Sequence, residues 1–227
     1  MRIVLASNNA KKLDELQALL GVCGVALVPQ GSLGISQAEE PHLTFIENAL
    51  AKARHAALHA DGPAIADDSG LCVAALGGAP GVISAHFSSN FSSHFADVAH
   101  FAHVAGPHPT GETPREVQRG VQDAANNRLL LERLASVSDR RAHFIATLVA
   151  LRSADDPEPL IAVGRWHGEI LRVADGSGGF GYDPLMFIPA LGASVAALHA
   201  QVKNAHSHRA LAARQMLGLL RDVWHLG

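Results

Sequence analysis

The sequence predicts an α/β protein. Short apolar or β-branched runs alternate with helical stripes from the first residues onward. Turns rich in Gly, Pro and Asn punctuate them. The 227 residues are 48% hydrophobic and 17% charged, enough apolar material for a substantial core. No internal repeat and no linker divides the chain, so a single domain over 1–227 is expected.

Taken in order, Arg2 to Ala6 reads as the first strand. Ser7-Asn8-Asn9-Ala10-Lys11-Lys12 follows and leads into a helix with Leu13, Leu16, Leu19 and Leu20 as its stripe. Asn8 or Asn9 suits the N-cap. Two lysines in the first turn oppose the helix dipole, and an anion on the exposed N–H groups would relieve that conflict. The alternative is a capped surface helix with solvated lysines. Gly24 to Pro29 reads as a second strand. Thr44 to Glu47 forms a capping box that opens a helix carrying Phe45, Ala49, Lys52, Ala53 and Ala56 near one face.

The run Ala64-Ile65-Ala66 is expected to be a buried strand ending in Asp67-Asp68-Ser69-Gly70, with the acids at a turn. Two carboxylates at a strand end offer hard oxygen ligands suited to Mg²⁺. A plain acidic turn is the alternative. Ser88 to Gln118 differs in texture, being rich in Ser, Phe and His and then in Pro and Gly. Phe91, Phe95, Val98, Phe101 and Ala105 have helical spacing there. His94, His100, His103 and His108 raise a transition-metal site against a plain surface insertion. Beyond it, Ala124 to Leu134 is expected as a helix. Ala142 to Arg152 and Leu160 to His167 are expected as paired strands. A glycine-rich loop, Gly176 to Pro184, precedes a strand at Leu185 to Ile188. A short helix at Ser194 to Ala200 comes before the terminal helix.

The net charge of −3 gives no general reason to expect nucleic-acid binding. No stretch is long and apolar enough to span a bilayer or act as a signal peptide. Cys23 and Cys72 lack metal-ligand spacing and read as reduced, which fits a cytoplasmic protein. Lysine occurs only at Lys11, Lys12, Lys52 and Lys203, each beside one of the polar motifs. Together these motifs point to a nucleotide. Lysines and helix N–H groups suit phosphates, and Asp68 and Glu40 suit Mg²⁺. Phe180 and Tyr182 offer flat faces for a base. Asp183 could accept from a ring N–H, while His208 and Arg209 could donate to a ring carbonyl.

Several long motifs carry a resemblance: LASNNAKK at 5–12, AEE at 38–40, TFIENALAKARHAA at 44–57, AIADDSGL at 64–71, ALGGAPGV at 75–82, GGFGYDPLMFIP at 178–189 and SHRALA at 207–212. The chain resembles the inosine triphosphate pyrophosphatases, also called XTP/dITP diphosphatases. The resemblance implies a long mixed sheet flanked by helices, two lobes with a central active-site cleft, and a homodimer. It implies Mg²⁺-dependent hydrolysis of ITP, dITP and XTP to the monophosphate and pyrophosphate, cleansing the nucleotide pool. By position, Ser7, Asn8, Asn9, Ala10, Lys11 and Lys12 would hold the triphosphate. Asp68 would be general base and metal ligand, with Glu40 a second metal ligand. Lys12 and Lys52 would assist catalysis, and Ser69 would touch substrate. Phe180, Gly181, Tyr182, Asp183, Lys203, His208 and Arg209 would hold the base.

The chain departs from that pattern in places. Ser7-Asn8 replaces the usual Thr-Gly, and Asn8 would crowd close backbone approach. Ile83-Ser84-Ala85-His86-Phe87 stands where the family has Tyr-Ser-Ala-Arg-Tyr, and the segment at about 88–118 is longer than usual. Asp67 is either a second acid of the site or a structural partner, and Asp67→Asn is expected to be milder than Asp68→Asn. Other functions remain open: nucleotide binding without turnover, a different base preference, or a metal-binding role for the histidine-bearing insertion.

Overall fold

The computed structural model describes residues 1–92 and 114–226. The histidines at 94, 100, 103 and 108 lie outside those residues, as does most of the helix expected around 91–105. Among the described residues the strands are β1 (Arg2–Leu5), β2 (Ala26–Pro29), β3 (Ala64–Val73), β4 (Arg141–Leu151), β5 (Leu160–Ile170), β6 (Met186–Ile188) and β7 (Ala193–Ser194). They form a seven-stranded mixed sheet in the order β2-β1-β3-β4-β5-β6-β7. β1 runs parallel to β2 and β3, with Leu5 opposite both Pro29 and Ile65. β6 is antiparallel to β5 and β7. The helices are α1 (Ala10–Leu20), α2 (Phe45–Ala60), α3 (Phe87–Ser92), α4 (Pro114–Arg133), α5 (Ala200–His206) and α6 (His208–Asp222).

The chain divides into two compact units. The first comprises Met1–Gly70, His143–Trp166 and His199–Gly227, and the second Leu71–Ala142 and His167–Leu198. In the first unit the strands are buried on both faces. Ile3, Leu5, Ile65, Ala146 and Leu148 pack with Leu16 and Leu20 of α1 and Ala212, Met216 and Leu220 of α6. Val4, Ala64, Ala66, Val149 and Leu151 pack with the alanine stripe Ala49, Ala53, Ala56 and Ala57 of α2. That alternation is the period-two rule of a strand with both faces covered. The alanines let α2 lie close to the sheet, and Thr44 caps its start by accepting from Glu47 N–H. Gly164 on β5 lets the first turn of α6 approach, because a Cβ there would overlap the His208 carbonyl.

In the second unit α4 is the organising helix. Asn126 is buried and donates to the carbonyls of Ser84 (3.2 Å) and Ala85 (3.1 Å). Its Oδ1 accepts from Ser88 N–H and from Gln122 Nε2, both at 2.9 Å. Arg140 donates to the carbonyls of Leu134, Ile170 and Leu171, which satisfies a helix end and a strand end together.

Three expectations are corrected. The strand expected to stop at the acidic pair instead runs through it to Val73. Alternating the two carboxylates to opposite faces keeps the ladder intact, so no turn is required. The helix expected at 124–134 begins earlier, at Pro114, a residue tolerated in a first turn. The helix expected at 194–200 is a single 3₁₀ turn, Val195–Ala197, and a separate helix, α5, follows it.

Candidate active site

Because β3 continues through the acidic pair, Asp67 and Asp68 point to opposite sides of the strand. Each meets a different set of cations within the first unit. Asp67 is wholly enclosed. It accepts from Lys12 Nζ at 2.7 Å and from Arg209 Nε and Nη2, both at 3.2 Å. Ser69, two residues on and so on the same side, accepts from Arg209 Nη2 at 3.1 Å. Arg209 Nη1 reaches Glu15 at 2.5 Å, and Lys203 Nζ lies 4.0 Å from the same carboxylate. Three cations thus face two carboxylates, leaving a net positive field suited to an anion.

Burial alone would raise the Asp67 carboxyl, but Arg209 and then Lys12 outweigh it and hold it well below the usual carboxylate range. Burial depresses the Lys12 ammonium despite Asp67. Burial would likewise depress Arg209, yet Asp67 and Glu15 raise it.

The opposite side has the reverse balance. Lys52 bridges Asp68 Oδ1 and Glu40 Oε2, each at 2.8 Å. One lysine here answers two acids. Burial pushes the Asp68 carboxyl up to about 6; Lys52 pulls against that and Glu40 adds to it. Burial would raise Glu40 too, but Lys52 lowers it on balance. Lys52 would be depressed by burial and is instead raised by Asp68 and Glu40. Asp68 Oδ2 is buried with no hydrogen-bond partner among the described residues. An orphaned anionic oxygen of that kind is costly unless something cationic or protic completes it.

Ser7 to Lys12 form a capped helix start. Asn9 Oδ1 accepts from the N–H groups of Lys11 and Lys12, and Ser7 Oγ accepts from Asn9 N–H. Lys11 and Ala10 are exposed at this end of α1. The Asn8 side-chain oxygen accepts from Gly31 N–H at 2.8 Å. At the start of α6, Ser207 caps Ala210 N–H. The His208 ring stacks on Phe144 with centroids 5.0 Å apart, and its Nδ1 is buried without a partner among the described residues. Burial, and then Arg209, hold the imidazole well below its ordinary pKa.

Four of the expected residues lie in the second unit. Phe180 is half-buried and its N–H donates to Asp183 Oδ2 at 2.9 Å. Tyr182 is buried and donates to the Ser84 carbonyl at 2.9 Å. Burial, and then Asp123, raise the phenol above its ordinary value. Gly181 N–H donates to Asp123 Oδ2 at 2.8 Å, and Gly181 O accepts from Asn127 Nδ2 at 3.0 Å.

The structure therefore gathers Lys12, Ser69, Lys203 and Arg209 around Asp67 and Glu15, and Lys52 and Glu40 around Asp68. Sequence reasoning missed Glu15, although it sits three residues after Lys12 and thus on the same helix face. It also missed Asp123 and Asn127, which no motif marks. Among the described residues no group of three or more His, Cys, Asp or Glu is placed to hold a metal. Two carboxylates suffice for Mg²⁺ when substrate phosphates complete its shell.

The model of the Ham1 family matches residues 3–104 and 106–219. The dITP/XTP pyrophosphatase of Leptothrix cholodnii is 63% identical over 226 residues, covering 100% of both chains. That of Methylibium petroleiphilum is 63% identical over 224 residues, covering 99% of each. The solved structure of a HAM1 protein from Coxiella burnetii superposes with a TM-score of 0.80 at 38% identity, covering 98% of this chain and 100% of that one.

Proposed function

The chain belongs to the Ham1 family, and we infer that it is a pyrophosphatase of deaminated purine nucleoside triphosphates, cleaving dITP, ITP and XTP to the monophosphate and pyrophosphate. The observation that carries this reading is the charge reversal across β3. A cation-rich cluster at Asp67 suits an anion, and an acid-rich cluster at Asp68 suits a divalent cation.

In this reading the N–H groups and lysines at the start of α1 grip phosphate oxygens. Asp68, poised at about 6, is ionised at neutral pH and takes the proton of the attacking water. Lys52 keeps the Asp68 and Glu40 carboxylates in place and limits their mutual repulsion. Asp68 and Glu40 would hold Mg²⁺: both are hard oxygen donors, and the orphaned Asp68 Oδ2 is the atom such an ion would complete. Bound Mg²⁺ would neutralise triphosphate charge as the leaving pyrophosphate develops. His208, neutral because it is buried, and Lys203 would present donors to the six-oxygen of the base. A donor set of that kind disfavours adenine, whose six-amino group is itself a donor, by roughly 10⁴-fold or more. Phe180 to Asp183 would contribute to holding the base. A homodimer and a cytoplasmic location are part of the proposal. No helix among the described residues is long and apolar enough to cross a membrane.

Pyrophosphate release from dITP, ITP, XTP, ATP, GTP and dUTP, each with and without Mg²⁺, tests the reading. Fast release from the first three, dependent on Mg²⁺, is expected. Binding of dITP without release would make the protein a nucleotide binder, and preference for dUTP or ATP would reassign its substrate.

A further inference from the structure

Gly181 is clamped at both of its backbone groups by one face of α4. Its N–H donates to Asp123 (2.8 Å) and its carbonyl accepts from Asn127 (3.0 Å). The two side chains are four residues apart, which places them one above the other on a helix. Gly181 has φ of +62°, a conformation that glycine adopts without steric cost and other residues rarely do. The flanking residues are tied as well. Phe180 N–H is held by Asp183, and the Tyr182 hydroxyl is anchored on the Ser84 carbonyl.

Of the two aromatics, Tyr182 is buried in its own unit and Phe180 is half-buried, so Phe180 is the ring with more surface to offer a ligand. Its direction depends on the peptide that follows it. Both polar groups of the next residue, Gly181, are fixed by α4. The other end of α4's network is the buried Asn126, which ties the helix to Ser84, Ala85 and Ser88. The clamp is therefore mounted on an anchored helix rather than on a loose one.

We propose that Asp123 and Asn127 are positioning residues for base recognition: by fixing both polar groups of Gly181 they set how Phe180 is presented to the purine. This rests on the functional reading above. It extends that reading to two residues that touch no substrate themselves and act through the glycine-rich loop. A charged acceptor and a neutral donor at these two places match the two backbone groups they meet. Loss of either partner leaves a backbone group of the loop to water and frees the peptide to rotate.

The test compares Asp123→Ala, Asn127→Ala and Asn127→Asp with wild type, using dITP as substrate and inorganic tripolyphosphate as a base-free competitor. Asn127→Asp sets a carboxylate against the Gly181 carbonyl and carries the test if an alanine variant fails to fold. The expected result is a rise in KM for dITP of about tenfold, with kcat changed less than about threefold. Inhibition by tripolyphosphate should be unchanged, because it carries no base. Asp123→Asn, which keeps an acceptor oxygen, should restore KM toward wild type. An unchanged KM, or a parallel loss of tripolyphosphate inhibition, would overturn the proposal. If wild type releases no pyrophosphate from dITP, the functional reading fails instead. Calorimetric binding of dITP and tripolyphosphate to the same variants then decides the role of the clamp separately.

Discussion

Asp67→Asn would leave Lys12 and Arg209 enclosed with one charge fewer to answer them, since Asp67 binds both. Removing one partner of a buried pair costs about 3 kcal/mol or more, which for a chain of this size lowers Tm by about 6–12 °C. Asp68→Asn is different. Lys52 keeps Glu40 as a partner, so the fold should change little while pyrophosphate release is lost and dITP binding persists. Thermal melts and turnover of the two variants check this, and a stable Asp67→Asn protein would contradict it. The ranking suggested by sequence, with Asp67 the milder site, is thus expected for turnover and its reverse for stability. His208 supplies a pH test. Its folded pKa lies well below the ordinary 6.5, so between those values the unfolded chain binds the extra proton. The stability that the neutral ring supplies is complete above about 6.5 and is lost as pH falls toward the folded pKa. Among the charged groups around it, Arg209, Lys203 and Lys12 oppose protonation, and Asp67 favours it more weakly than burial resists. The stability gap between wild type and His208→Gln should therefore narrow from pH 7.5 to 5; a constant gap would exclude this role.

At the scale of elements, the start of α6 depends on how closely it can approach β5. A Cβ on Gly164 would lie 2.5 Å from Ala212 N and 2.8 Å from Leu211 Cβ, besides overlapping the His208 carbonyl. Gly164→Ala must push α6 away, at a cost of about 1–3 kcal/mol for overpacking. Because α6 carries Arg209, the pair with Asp67 should loosen as well. A Tm decrease accompanied by a higher KM for dITP is the expected outcome, and an unchanged Tm would show that the helix yields freely. This contact was not legible in the sequence, where Gly164 interrupts a strand without any sign of what approaches it. What was legible followed local rules. The Thr44–Glu47 capping box, the leucine stripe of α1 and the pairing of β4 with β5 all rest on nearest-neighbour chemistry. The run Asp67-Asp68-Ser69-Gly70 misled because its composition is that of a turn. Tertiary partners on both faces, Lys12 with Arg209 and Lys52, keep it in the ladder. Asp123 and Asn127 act on Gly181, distant in sequence, so their spacing could not reveal them; Glu15 was within reach of spacing alone, on the helix face of Lys12.

At the scale of the whole chain, residues 93–113 form the part of the 88–118 segment beyond the described structure, and the question is what the protein loses without them. The residues on either side are tied to each other within one unit. Ser88 N–H and Oγ donate to Asn126, and Gln122 Nε2 donates to Ser88 Oγ at 2.8 Å and to Asn126 at 2.9 Å. Those bonds hold α3, which follows the 3₁₀ turn Gly81–His86, against α4 whatever the length of chain between them. The free energy of closing a loop varies slowly with its length, so replacing 93–113 by a short Gly-Ser linker should change stability by about 1 kcal/mol or less. The cut must stop at Pro114, since α4 carries the Asn126 hub and the Gly181 clamp. A deletion reaching into the middle of α4 should abolish the fold of the second unit. The 93–113 deletion should give soluble protein whose Tm lies within a few degrees of wild type and which still releases pyrophosphate from dITP. An insoluble product would show that the segment supplies core to the second unit. Soluble protein without turnover would place part of the substrate site within it.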